Sequence, residues 1–282
     1  MRSYRERCTM ASLILGKARE CGADLVGLAD VEVLKNGPSE QLFPRMKDHS
    51  RDHFAARITT GLPHGAVFWE EDAQTAIVYG VAHPQEKPEM DWWCGGIDPP
   101  GNKKLAQIGK ALKEFLQETY PDLSVYPKLY HVEKGGIYLK EAAYWAGLGC
   151  IGRNNLLINP EFGPRVRLRA MLISEKLPAT GPSSFDPCEG CEEYCLKGCP
   201  QKAFDQVIYT KEETGLSHLP AREGDYYRKA CVAEMTKNEA EAKIQVLPQF
   251  SDEPLKVTKY CRNCEFLCPV GRKSVLREEA NV

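Results

Sequence analysis

Two cysteine runs dominate the chain. Cys188-Glu-Gly-Cys191-Glu-Glu-Tyr-Cys195-Leu-Lys-Gly-Cys199-Pro200 is answered further on by Cys261-Arg-Asn-Cys264-Glu-Phe-Leu-Cys268-Pro269. Thiolates at this density, each run closed by Cys-Pro, are the pattern of cubane iron–sulfur clusters. Soft sulfur donors hold iron and bridging sulfide better than oxygen or imidazole donors do. In two-cluster ferredoxins the cysteine before the proline ligates the cluster of the other run, so the runs interlock. Seven of the twelve cysteines lie in the runs, whereas two cubanes need eight. Cys231 lies between the runs and is the natural eighth. The expected division places Cys188, Cys191, Cys195 and Cys268 on one [4Fe–4S] cluster and Cys199, Cys231, Cys261 and Cys264 on the other. The Cys191-x-x-x-Cys195 step is one residue longer than in the usual run.

Disulfides would need an oxidising compartment, and no apolar h-region follows Met1-Arg2-Ser3-Tyr4-Arg5-Glu6-Arg7 to mark a signal peptide. Zinc is the other use of paired C-x-x-C runs. Close-spaced cysteines ending in Cys-Pro fit iron–sulfur binding better than a zinc ribbon. The expected compartment is the reducing cytoplasm. A formal net charge of −2 over 282 residues gives no electrostatic footprint for nucleic acid. No apolar run approaches a membrane span. Among the remaining cysteines, Cys8 and Cys21 read as small buried hydrophobes, and Cys94 and Cys150 as inert loop thiols.

Apolar periodicity predicts a helix over 5–21 and a buried strand over 23–29. Loops and small helices are expected over 36–68, and a central strand over 76–82. An aromatic loop at Trp92-Trp93-Cys94-Gly95-Gly96 precedes a helix over 103–119 with its stripe at Leu105, Ile108, Leu112, Phe115 and Leu116. Strand material at 124–126 and 129–132, a short helix over 138–145, a turn over 147–154 and strands at 156–158 and 166–173 complete the first part. Pro178 and Pro182 mark a boundary. The alternation predicts an α+β chain, with an α/β core over 1–178 and a cysteine-rich domain over 179–282. Two adjacent clusters mean electron transfer, and the large first part favours an enzyme that the clusters feed.

The stretch Gly147-Leu-Gly149-Cys150-Ile-Gly152-Arg153-Asn154-Asn-Leu-Leu-Ile-Asn-Pro-Glu-Phe-Gly-Pro-Arg165-Val-Arg167-Leu168 resembles the central motif of epoxyqueuosine reductases and corrinoid reductive dehalogenases. Asp24-Leu-Val-Gly-Leu-Ala29 resembles their N-terminal strand, and the eight-cysteine pattern with its isolated Cys231 also matches. The resemblance implies a nitroreductase-like core holding cobalamin and a ferredoxin-like domain carrying two [4Fe–4S] clusters. Its function would be a cytoplasmic reductase that passes electrons from the clusters to a corrinoid and then to a small-molecule substrate. An external ferredoxin- or flavodoxin-type donor would supply those electrons. Gly147, Gly149, Gly152, Arg153 and Asn154 would lie against the corrin, the glycines allowing close backbone approach.

The catalytic aspartate of epoxyqueuosine reductases matches Glu133, whose carboxyl would be raised by an apolar neighbour and serve as general acid. Tyr130, His131, Lys134 and Tyr138 are alternative donors nearby. The Tyr-plus-base arrangement of reductive dehalogenases would fall on Tyr138 with Arg167. Cys150 replaces a frequent tryptophan of the family. The chain shows neither the C-terminal helical repeats that help grip tRNA nor a twin-arginine signal, so tRNA is not the expected substrate. The alternative reading is an electron-transfer protein without its own corrin, serving a partner enzyme.

Overall fold

The computed structural model describes residues 2–46, 59–220 and 222–272. Part of the loop region expected over 36–68 therefore lies outside the described residues. Helix α1 (Tyr4–Glu20) opens on a reciprocal cap. Ser3 Oγ accepts from the Glu6 amide, and the Glu6 carboxylate accepts from the Ser3 amide. Strand β1 (Leu25–Asp30), short helices α2 (Val31–Lys35) and α3 (Pro38–Leu42), and strand β2 (Thr75–Ala82) follow. Next come β3 (Trp93–Cys94), α4 (Pro100–Thr119), β4 (Val125–Pro127) and α5 (Leu139–Trp145). The two-residue strands β5 (Cys150–Ile151) and β6 (Leu157–Ile158) pair with each other, and β7 (Val166–Ile173) returns to the centre.

The main sheet has the order β1-β2-β7-β4, and every neighbouring pair in it is antiparallel. Both faces are covered. Ile77, Tyr79, Val81, Met171 and Ile173 point to one face, where Ile14 and Ala18 of α1 and Leu105, Ile108, Leu112 and Leu116 of α4 close over them. Ala76, Val78, Leu168, Ala170 and Leu172 point to the other, under Leu34 of α2 and Ala142 and Ala143 of α5. Two-sided burial is why β2 reads as an unbroken apolar run instead of alternating. Each fully buried Leu or Ile of this kind contributes about 1.5–3 kcal/mol.

Beyond β7 come the short helices α6 (Tyr194–Lys197) and α7 (Lys211–Thr214), then α8 (Arg228–Ala240). A hairpin of β8 (Lys243–Leu247) and β9 (Ser251–Thr258) leads to α9 (Asn263–Phe266). The hairpin is not in the expected element list. Its Ile244 and Val246 are exposed, so its alternation has no buried face to signal it. Strand β9 pairs with β3, which turns the expected aromatic loop into part of a three-stranded sheet.

Two further expectations change. Residues 129–132 are not a strand, because a local turn takes their backbone hydrogen bonds. Gly136 N–H donates to the His131 carbonyl at 2.8 Å, and Gly135 N–H to that of Val132 at 2.9 Å. The expected boundary at 178 falls in a segment pinned to the core. Thr180 N–H donates to the Leu28 carbonyl at 2.9 Å, and its hydroxyl donates to that of Ala146 at 2.6 Å.

Candidate functional site

Cys188, Cys191, Cys195 and Cys268 line one cavity with Asn154, Ile158, Tyr194 and Val270. Burial pushes the Cys195 thiol up to about 11, helped by Cys268 and Cys188 nearby. Cys268 is raised by burial and by Cys188 and Cys191. A second neighbourhood joins the remaining four. Cys261 is raised by burial, by Glu234 and by Cys231 and Cys199; Cys264 is raised by burial, by Glu265 and by Cys231 and Cys261. Cys264 also feels Cys195, so the two neighbourhoods adjoin. Among the described residues no three His, Cys, Asp or Glu side chains converge on a single metal ion. A cubane spreads its four thiolates around a larger group, and the donor chemistry of each foursome suits it.

The other four thiols lie elsewhere. Cys94 and Cys150 are buried strand residues, and Cys8 and Cys21 are only half-buried, the reverse of the expected split. Helix α1 turns Ile14 and Ala18 to the sheet, which leaves Cys8 at its margin. Burial pushes the Cys150 thiol up to about 12, with Cys188 adding to the shift, so it stays protonated.

The core grips the second cysteine run through charges that spacing alone does not reveal. Arg262 stands between Cys261 and Cys264 and is 6% exposed. It donates to the His83 carbonyl at 2.8 Å, pairs with Glu265 at 2.7 Å and reaches Asp91 at 3.4 Å. Arg165 donates to the Glu265 carbonyl at 2.9 Å, to the Cys268 carbonyl at 3.4 Å and to the Val270 carbonyl. Asn154 donates to the Cys264 carbonyl at 3.2 Å. Burial, with Arg262 and Arg167 adding to it, pulls His83 down to about 2 and keeps its ring neutral. The only advance signal for this clamp is a charged residue inside a C-x-x-C step.

Glu133 sits in a turn of 3-10 helix (Val132–Lys134), its Oε1 at 3.2 Å from His64 Nδ1. Its neighbour is thus an imidazole, not an apolar surface. Tyr138 lies close by, and its hydroxyl donates to the Gly65 carbonyl at 2.5 Å. Burial raises the phenol, with Glu40, Glu133 and Glu141 adding to the shift. A small cleft lined by Leu34, Trp69, Ile137, Tyr138, Glu141 and Ala142 adjoins this group. Arg167 is not part of it. Opposite Val81 across β2 and β7, it lies on the α4 face of the sheet, pairing with Asp91 and donating to Asn102 Oδ1 at 2.8 Å. Tyr138 packs on the α5 face, so the sheet separates the expected Tyr138–Arg167 pair. Of the alternative donors, Tyr130 is exposed.

The five residues expected against a corrin are committed elsewhere. A Cβ at Gly149 would stand 2.1 Å from the Ile158 carbonyl oxygen, and one at Gly147 2.8 Å from that of Thr180. At Gly152 it would stand 2.6 Å from Ile158 Cγ1. The glycines therefore make room for the chain's own backbone and side chains. Arg153 pairs with Glu193, and Asn154 serves the cysteine segment. Around each of these glycines the nearest atoms belong to the chain itself.

No family model matches the chain. It is 26% identical over 212 residues to an epoxyqueuosine reductase of Lactococcus garvieae, covering 72% of this chain and 53% of that one. The chain thus spans about half the length of that curated relative. The epoxyqueuosine reductase structure from Streptococcus thermophilus superimposes with a TM-score of 0.56 at 20% identity, over 93% of this chain and 66% of that one. A reductive dehalogenase structure described as suggesting a mechanism for B12-dependent dehalogenation superimposes with a TM-score of 0.61 at 17% identity, over 98% of this chain and 34% of that one. Among the described residues no helix is long and apolar enough to cross a membrane. The sequence matches and the shared fold point the same way: the chain is similar to epoxyqueuosine reductases and shares its fold with them and with reductive dehalogenases.

Proposed function

We propose that this chain is an iron–sulfur oxidoreductase. Two [4Fe–4S] clusters, one on Cys188, Cys191, Cys195 and Cys268 and one on Cys199, Cys231, Cys261 and Cys264, carry electrons to an acceptor at the core. The observation that carries the reading is the sorting of eight thiols into two adjoining foursomes beside a core shared with reductases. An external ferredoxin- or flavodoxin-type donor supplies the electrons, and a corrinoid is the acceptor that the likeness to a B12-dependent enzyme favours. Glu133, whose carboxylate lies 3.2 Å from His64 Nδ1, would deliver the proton to a small-molecule substrate.

Anaerobic reconstitution tests the cluster reading: about eight iron and about eight sulfide per chain support it, and about half that limits the chain to one cluster. The visible spectrum on adding cobalamin tests the acceptor.

A second reading rests on a specific observation. The glycine turn expected to face a corrin is filled by Ile158 and Thr180. On this reading the chain is an electron-transfer protein without its own corrin, serving a partner enzyme. Two intact clusters with no spectral change on adding cobalamin would favour it.

A further inference from the structure

Helix α8 carries Cys231, and the face that carries it does more than supply a thiol. Cys231, Glu234 and Asn238 follow at steps of three and four, which puts them on one side of the helix. All three are half-buried, while Ala233, Thr236, Lys237 and Ala240 are exposed. Asn238 Oδ1 accepts from the Cys261 amide at 2.8 Å. Its Nδ2 donates to Glu234 Oε1 at 3.4 Å, and Glu234 Oε2 accepts from Gln201 Nε2 at 2.8 Å. Gln201 stands two residues after Cys199. One hydrogen-bonded line therefore runs from the Cys199 segment through α8 to Cys261.

Two further ties flank this line. Ala203 N–H donates to Cys199 Sγ at 3.3 Å, and the Ala203 carbonyl accepts at 2.7 Å from the amide of Tyr227, the residue before α8. At the other end Tyr260 donates its hydroxyl to Glu239 Oε1 at 2.6 Å and sets its ring 6.4 Å from that of Trp93 on β3. Each tie is made between protein atoms. The segments carrying Cys199, Cys231 and Cys261 are thus joined independently of the iron they would share. The first foursome is anchored differently. Cys188 N–H donates to Asp186 Oδ1 at 3.0 Å within its own segment, and the Cys268 carbonyl accepts from Arg165 of the core.

We propose that Glu234 and Asn238 make α8 the scaffold of the second cluster site, holding the Cys199 and Cys261 segments at Cys231 before iron arrives. Binding then costs less ordering, because the metal does not have to gather the segments itself. Neither side chain ligates iron; both are positioning residues. Their pairing can also be inverted. In Glu234→Gln with Asn238→Asp, donor and acceptor exchange places between the two side chains. The bonds to Gln201 and to the Cys261 amide are both kept.

The inference rests on the two-cluster reading, and the tests keep the two apart. A wild-type chain that holds well short of about eight iron after anaerobic reconstitution overturns the two-cluster reading itself. Hydrogen exchange at the Cys261 amide of the metal-free full chain tests the scaffold on its own. Protection should be present in wild type and fall roughly tenfold in Asn238→Leu, the worth of one hydrogen bond. An unprotected wild-type amide, or equal protection in both chains, overturns the proposal. Cluster formation is then followed by visible absorbance in Cys188→Ala/Cys191→Ala, where only the second site can fill. There Asn238→Leu and Gln201→Met should each slow formation, by up to about tenfold. Glu234→Gln with Asn238→Asp should restore the parent rate. Unchanged rates, or slowing that the paired exchange does not reverse, overturn the proposal. Gln201 is exposed, so Gln201→Met decides the matter even where Asn238→Leu does not fold.

Discussion

The guanidinium of Arg262 donates to the carbonyl oxygen of His83 at 2.8 Å, joining the Cys261–Cys264 step directly to the end of β2. The same side chain pairs with Glu265 and reaches Asp91. Burial raises the Glu265 carboxyl while Arg262 pulls it back, so the arginine keeps a buried charge tolerable. Breaking a buried pair by removing one partner costs about 3–5 kcal/mol. Arg262→Ala should lower the melting temperature by roughly 6–20 °C, at about 2–4 °C per kcal/mol for a chain of this size. Thermal denaturation of the reconstituted protein checks this, and a shift of a degree or less would show that the clamp is not structural.

Gly149→Ala tests the packed turn. The new Cβ would meet the Ile158 carbonyl oxygen, a backbone atom held in the β5–β6 pair. We expect a loss of about 2–4 kcal/mol, in the range of overpacked and strained sites. Urea denaturation measures it. An unchanged midpoint would mean that the turn is open, and would restore it as a surface for a flat cofactor.

Cys231→Ala should leave one cluster and remove the other, so iron falls to about half its full value. Cys8→Ala, at the half-buried margin of α1, should leave iron unchanged. Iron and sulfide analysis of the two variants separates the assignment from general thiol loss.

Glu133→Gln should slow the reduction that the reconstituted wild-type chain catalyses by about 10²–10⁴-fold, the range for general acid catalysis. Iron content and stability should stay unchanged. Steady-state turnover at matched iron content is the measurement, and equal rates would exclude Glu133 as the proton donor.

Glu141 predicts a pH effect. Burial raises its carboxyl above the unfolded value, although Ser39 N–H donates to Oε2 at 3.0 Å. The folded chain then holds this proton more tightly than the unfolded chain. The resulting stability is present below the unfolded pKa and is lost as pH rises through the folded one. Glu141→Gln abolishes that step. Relative to wild type it should gain stability as pH rises past the ordinary glutamate value of about 4.3. A pH-independent difference in urea midpoints would contradict this.

Local patterns made much of this protein legible. The Cys-Pro closures, the stripe of α4 and the apolar run of β2 each report chemistry or burial within a few residues. The structure agrees with the α4 stripe at Leu105, Ile108, Leu112 and Leu116 and with β2 at the sheet centre. Periodicity is a local signal, and these elements bury their faces whatever their partners are.

Partnership between distant segments was not legible, because side chains from far-apart positions meet only once the chain has folded. Arg167 and Tyr138 looked like a pair until the sheet put them on opposite faces. The glycines of 147–152 looked like a cofactor surface until Ile158 and Thr180 filled the space beside them. Arg165 lies about a hundred residues before the second cysteine run, and only folding brings it to the Cys268 carbonyl. The sequence by itself determined which soft donors the chain carries, since donor softness belongs to the residue. Only the tertiary structure decided which charges those thiolates face, because a field depends on distance and burial.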